Sequence, residues 1–257
     1  MRFPRSGFAR LTFGFVVTAC LCALCPTLAL AQAAPAAPAP PPPAREGSLE
    51  FAFIGTTGNS STQTVGLNGE VIVRPDKWVV RNKAALLRNE SESALTAESF
   101  TYLFRSERAL SPRASAFGEY TYLRDEFAGI EHHNGVAGGL AYKLVTRARH
   151  ALSVDGGLGY LNEQRQTGPD ISSGTYAFGG VYKWKLSATA EFSEDVRLTG
   201  IFSDAEDWRV ANALAITARL TGLLSLKASN TIRFANIPVP GFKATDTNTA
   251  IALVAKF

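Results

Sequence analysis

Cysteine is nearly missing from this 257-residue sequence, and the three that occur, Cys20, Cys22 and Cys25, all fall close to the amino terminus. The rest of the chain therefore holds no disulfide, no thiolate nucleophile and no cysteine-ligated metal. Long apolar runs are missing too. From Gly47 onward nothing reaches the ~18 apolar residues of a membrane-crossing helix, and a mean hydropathy of +0.03 argues against a helical membrane bundle. Charge is sparse at 19%, against 10% aromatic residues, which excludes a disordered chain. An excess of one sign vanishes on inspection. The formal charge of +4 includes Arg2, Arg5 and Arg10, and without residues 1–31, which carry no acid, it is +1. Nothing is left to argue for nucleic acid or an acidic partner. A single Met beside 22 Gly and 16 Phe leans towards a β-rich chain.

The basic amino terminus continues into an apolar run from Leu11 to Leu24 and a small-x-small site at Ala29-Leu30-Ala31. This reads as a secretory signal peptide over residues 1–31, with Gln32 as the first mature residue. A retained anchor and lipidation at Cys20, after Val17-Thr18-Ala19, are the weaker readings. Residues 32–46 follow as an Ala/Pro-rich spacer. Pro35, Pro38 and Pro40 to Pro43 predict an extended polyproline tether.

From residue 47 to 257 the texture is period-two alternation cut by turn residues. Leu49, Phe51 and Phe53 alternate with Glu50 and Ala52. Phe100, Tyr102 and Phe104 alternate with Thr101 and Arg105. Tyr176, Phe178, Tyr182 and Trp184 alternate with Ala177, Gly179 and Lys183. Twelve such segments can be counted, the ninth blurred within Thr189 to Phe202. The spacing fits membrane strands of ~9–11 residues plus turns. Tight links such as Arg74 to Lys77, Leu110 to Arg113 and Lys185 to Ser187 alternate with polar ones expected to be longer loops: Arg88 to Thr96, Arg124 to Asn134, Asn162 to Ser173, Ser203 to Asp207 and Ala235 to Asp246. The prediction is an all-β fold, a transmembrane antiparallel up-and-down barrel of about twelve strands, with both termini on the short-turn, periplasmic side of the outer membrane. Leu49–Ile54 should pair with Ile251–Phe257 to close it.

Two features favour a membrane barrel over a soluble one. The chain ends on Phe257, preceded at every second position by Ala255, Leu253 and Ile251, an arrangement similar to the assembly signal of bacterial outer-membrane proteins. Aromatics also gather near strand ends, among them Trp78, Tyr120, Tyr142, Trp184, Trp208 and Phe234, as in interfacial girdles. The segment Thr56-Thr57-Gly58-Asn59-Ser60, the turn Lys183-Trp184-Lys185-Leu186-Ser187 and the tail from Pro240 to Thr247, running into Lys256-Phe257, resemble the salt-induced outer-membrane protein family, a domain of unknown function in Gram-negative bacteria. The resemblance covers Gly47 to Phe257. It implies an outer-membrane barrel with a link to salt or osmotic stress, and it supplies no catalytic residues.

The search for chemistry yields little. His132 and His133 lie near Asp125, Glu126 and Glu131, but neighbours on a strand point to opposite faces, so a metal pair would need a bent loop. A hydrolase could combine His133, Ser172 or Ser173, and Asp125, a set of low specificity. The expectation is no enzyme, no cofactor and no metal. The inward parity is richer. It carries Glu50, Glu70, Arg105, Glu119, Lys143, Asp155, Lys183, Arg209, Lys227, Arg233 and Lys256, charges that suit a wet lumen and not lipid. Arg209, Lys227, Arg233 and Lys256 form a basic stripe on the last three strands and are expected to meet Glu50 and Glu70 near the seam. These charges are read first as cross-links that largely occlude the lumen of a structural or stress-related envelope protein. A porin-like channel for small polar solutes or ions is the alternative, and an outer-leaflet hydrolase comes third. The expected partners are outer-membrane lipids, lipopolysaccharide and the barrel assembly machinery, with no nucleic acid.

Overall fold

The computed structural model describes residues 42–56, 62–91 and 94–257. The predicted signal peptide, most of the Ala/Pro spacer and the Thr57-to-Ser60 part of the early motif lie outside them. Twelve antiparallel strands form one closed barrel. They are β1 (Arg45–Thr56), β2 (Thr62–Val73), β3 (Trp78–Ser91), β4 (Ala94–Ala109), β5 (Ala114–Asp125), β6 (Ile130–Thr146), β7 (His150–Arg165), β8 (Ile171–Lys185), β9 (Ala190–Ile201), β10 (Asp204–Arg219), β11 (Leu224–Ala235) and β12 (Thr245–Lys256). Each strand pairs with its neighbours in sequence, and β1 pairs with β12 from Ser48↔Lys256 to Phe51↔Leu253. Closure gives every strand two partners, which a sheet in lipid must have. At the seam Gly47 N donates to Phe257 O at 2.7 Å and Phe257 N donates to Gly47 O at 2.9 Å. The Phe257 ring fills the space that a side chain on Gly47 would need.

The barrel is built inside out relative to a water-soluble one. Large apolar side chains such as Leu49, Phe53, Leu140, Leu158, Phe178 and Ile251 stand exposed on the outer wall. The buried hydrophobic residues of the strands, among them Ile72, Phe117, Leu161, Ile201 and Val254, all have inward parity. An apolar belt outside and a polar lining inside is the distribution that a lipid surround selects.

Local chemistry explains the terminal end, where β1 starts and β12 stops. In the turns after β4, β8 and β10, a hydroxyl in the second position folds the chain back. Ser111 Oγ accepts from Ala114 N at 2.9 Å, Ser187 Oγ from Ala190 N at 3.0 Å and Thr221 Oγ1 from Leu224 N at 3.0 Å. Each hydroxyl replaces a backbone acceptor, so the turn needs no special glycine.

The opposite end differs from the sequence expectation. The segments read as long polar loops are mostly strand. β7 runs on to Arg165, β10 starts at Asp204, and Glu126–Ala128 is a short 3-10 turn between β5 and β6. Ladder hydrogen bonds use the backbone alone, so hairpins continue past the apolar belt wherever water can solvate their side chains. Among the described residues, only 236–244 make a long connection. Gly139 and Gly157 face each other across β6 and β7. Added Cβ atoms at Gly139 and Gly157 would run into the backbone opposite, so the two strands approach each other here more closely than side chains allow.

Candidate functional site

The inward faces of the strands bring charged side chains together in three groups. The first lies at mid-height. Arg105 on β4 donates to Glu107 Oε1 at 2.7 Å, to Glu119 Oε2 on β5 at 2.9 Å and to Asp155 Oδ2 on β7 at 3.3 Å. Its guanidinium lies 3.8 Å from the centre of the Phe117 ring. Arg197 on β9 reaches Glu119 at 3.5 Å and Asp155 at 3.6 Å. These ties skip strands. They pass over the inward Ala137 and Gly139 of β6, and Ala177 and Gly179 of β8, which leave the room.

The second group lies towards the far mouth, opposite the end where β1 starts and β12 stops. Glu163 on β7 is 0% exposed. Its Oε2 accepts from Arg209 Nη1 at 2.6 Å and faces His133 Nδ1 at 2.9 Å. Its Oε1 accepts from Arg165 Nε at 2.8 Å and Arg209 Nη2 at 3.0 Å. Both arginines also reach Asp207, at 3.5 and 3.4 Å. A fully buried carboxylate is tolerable only with such a complete set of donors. The third group lies beside the seam, where Lys227 Nζ contacts the two Glu50 oxygens at 2.8 and 3.0 Å and Asn68 Nδ2 donates to Glu50 at 3.3 Å.

Of the six charges expected near the seam, the structure brings together Glu50 and Lys227. Glu70 instead pairs with Arg81 on β3 at 3.2 Å, Arg233 lies 3.6 Å from Asp125, and Arg209 belongs to the Glu163 group. Lys256 makes no ion pair among the described residues. The reason is position along the strands. Arg209 and Arg233 sit towards the far mouth, whereas Glu50 and Glu70 sit nearer the terminal end. Phe257, Ala255, Leu253 and Ile251 form the outward row of the closing strand. Several lumen groups have no counterpart in the sequence reading, namely Glu163, Arg165 and Asp207 in segments read as loops, and Asp195 and Arg197 in the blurred ninth strand.

His132 and His133 point to opposite walls. His132 meets Tyr122 Oη at 2.9 Å outside, while His133 meets Glu163 inside. The Ser173 hydroxyl donates to Gly174 O at 3.1 Å and accepts from Ser203 N at 3.1 Å, and Asp125 accepts from Ala128 N at 3.1 Å. The hydrogen bonds of these groups thus go to partners other than one another. No group of three or more candidate metal ligands occurs among the described residues.

One cavity of about 750 Å³ runs through the lumen. It is lined from Arg113, Lys143 and Lys183 near the terminal end to Lys243 and Asp246 at the far mouth, by eleven cationic side chains and seven carboxylates in all. Among the described residues, Lys83, Lys143 and Lys183 point inward without an ion-pair partner. The loop 236–244 bridges the far mouth. Val239 is buried, Phe242 packs on Gly129 after β5, and Pro240 O accepts from Thr167 Oγ1, after β7, at 2.6 Å.

A family model described as "Protein of unknown function, DUF481" matches residues 49–257. No curated protein matches the chain. Among solved structures, the NanC porin in a rhombohedral crystal form superposes with a TM-score of 0.51 at 11% identity, over 82% of this chain and 98% of that one. A KdgM porin in complex with disordered oligogalacturonate gives 0.47 at 6% identity, over 82% and 99%. At such identities the likeness concerns the fold alone.

Proposed function

The chain belongs to that family, and from this premise we propose that it is a bacterial outer-membrane barrel whose wet lumen passes small polar solutes and prefers anions. The observation that carries this reading is the cavity of about 750 Å³, lined from one end to the other by more cations than carboxylates. A surplus of fixed positive charge inside low-dielectric walls raises the local concentration of anions and opposes cations. The export signal read at residues 1–31 and the outer apolar belt support the location. The even strand count and the tight turns beside the start of β1 and the end of β12 support the orientation, with both termini in the periplasm. Lipids and lipopolysaccharide then surround the belt, and the Phe257 row is the element that the assembly machinery would read.

The test is conductance. Protein whose folding is established by heat-modifiable gel migration is inserted into planar bilayers under a potassium chloride gradient. Reproducible unitary steps are expected, with a reversal potential on the anion side, and Lys143→Gln with Lys183→Gln should move that potential towards zero. Folded protein that inserts and stays silent would overturn the reading. A second reading, a stress-related structural barrel, draws on the strand-skipping ties of Arg105 and Arg197, which narrow the mid-lumen. It predicts silence in the same recordings, and slower growth of a deletion strain at high salt that a non-conducting variant restores.

A further inference from the structure

The outer wall of β9 to β12 breaks the apolar belt, and we infer that it is the contact face of a homodimer in the membrane plane. On β9 the outward row reads Phe192, Glu194, Val196, Leu198. The parity is fixed by the pairings Tyr182↔Glu194 and Leu214↔Glu194, since the outward Trp184 and Ile216 lie two residues from those partners. Glu194 is therefore a carboxylate set between apolar residues on the lipid side. On β10 Asn212 stands between Val210 and Leu214, and on β11 Asn230 stands between Ala228 and Ile232. Asn212 Nδ2 donates to Glu194 Oε1 at 3.1 Å, and Asn230 Nδ2 donates to Thr249 Oγ1 of β12 at 2.8 Å. Among the described residues, nothing donates to Glu194 Oε2 or to either asparagine Oδ1.

Elsewhere the outward asparagine of β7, Asn162, lies towards the far mouth and donates to Ser172 Oγ at 2.7 Å, while two others are closed off. Asn82 Oδ1 accepts from Tyr102 Oη at 2.8 Å, and Asn134 Oδ1 from Tyr120 Oη at 2.9 Å. There a tyrosine from the adjacent strand closes the polar group off. The outward rows of β9 to β12 hold no tyrosine, so their acceptors are left facing hydrocarbon. Polar groups in that position are costly, and in membrane proteins they turn towards protein.

A second copy of this chain is the occupant that fits. The bilayer fixes depth and orientation, so a two-fold axis along its normal places each residue of the patch at the height of its twin. An asparagine amide both donates and accepts, so Asn212 and Asn230 of one copy can pair with those of its twin and offer donors to Glu194. The inference concerns the outer wall and is independent of whether the lumen conducts.

The test uses the scarcity of cysteine. With Cys20, Cys22 and Cys25 changed to Ala, Asn230→Cys on β11 and Leu158→Cys on β7, outside the patch, are oxidised in native membranes. Most of the Asn230→Cys protein should shift to the doubled mass, while Leu158→Cys stays at the mass of one protomer. In mild detergent the unsubstituted protein should scatter light as two protomers, and folded Glu194→Leu with Asn212→Leu should scatter as one. Equal cross-linking of the two cysteine variants, a covalent band with a different protein, or a one-protomer mass for the unsubstituted chain would each overturn the homodimer. Should the leucine variant fail to fold, the cysteine comparison decides alone.

Discussion

Arg105 shows how much one side chain can hold when water is scarce. It is 6% exposed and serves three carboxylates from two other strands and its own. Removing it leaves Glu107, Glu119 and Asp155 close together with only Arg197 to offset them. For Arg105→Met a loss of about 3–5 kcal/mol is expected, the range for breaking a buried ion pair from one side. Arg233→Ala removes a half-exposed pair with Asp125 and should cost under about 1 kcal/mol. Urea unfolding of the reconstituted barrel, followed by gel migration, compares the two. Arg105, Glu119 and Asp155 were legible in the sequence because their strands alternate cleanly. Arg197 was not. Outward Glu194 puts a polar residue on the apolar face of β9, so neither parity of that strand stands out as the lipid side.

Among the elements, the closing hairpin edge is the most exposed to damage. Gly47→Val forces the Phe257 ring off β1 and disturbs the two hydrogen bonds between these residues, and deleting Phe257 removes both. Both variants should reach the envelope with a reduced share of heat-modifiable barrel, and Gly47→Val should retain more than the deletion. A heat-modifiable share equal to that of the unsubstituted chain would show that the seam does not depend on this contact. The strands themselves were readable from alternation, and so were the tight turns with Ser111, Ser187 and Thr221. The extent of the far-end hairpins was not. Polar residues such as Asn162, Glu163 and Asp207 serve a loop and a solvated strand equally well, and only the pairing register separates the two.

For the whole molecule, the number of strands and their closure followed from periodicity, whereas the state of the lumen did not. Whether side chains fill a barrel depends on which of them reach across, and those partners lie many strands apart. The loop 236–244 is the clearest case, since nothing in Ile237-Pro238-Val239-Pro240 announces that it packs over the mouth. Deleting residues 238–241 should enlarge the unitary conductance without changing heat-modifiable migration; unchanged conductance would place the narrowest point at Arg105. The strand-skipping ion pairs bear also on the order of events in assembly. Lys227 and Glu50 are separated by 177 positions, and neither can find the other before β12 has docked between their strands. A contact that forms last is expected to be missing from the rate-limiting state of folding. Lys227→Met should therefore leave the rate of barrel formation in vesicles unchanged and shorten the half-life of the finished barrel in urea, so that these late clasps act as a brake on opening.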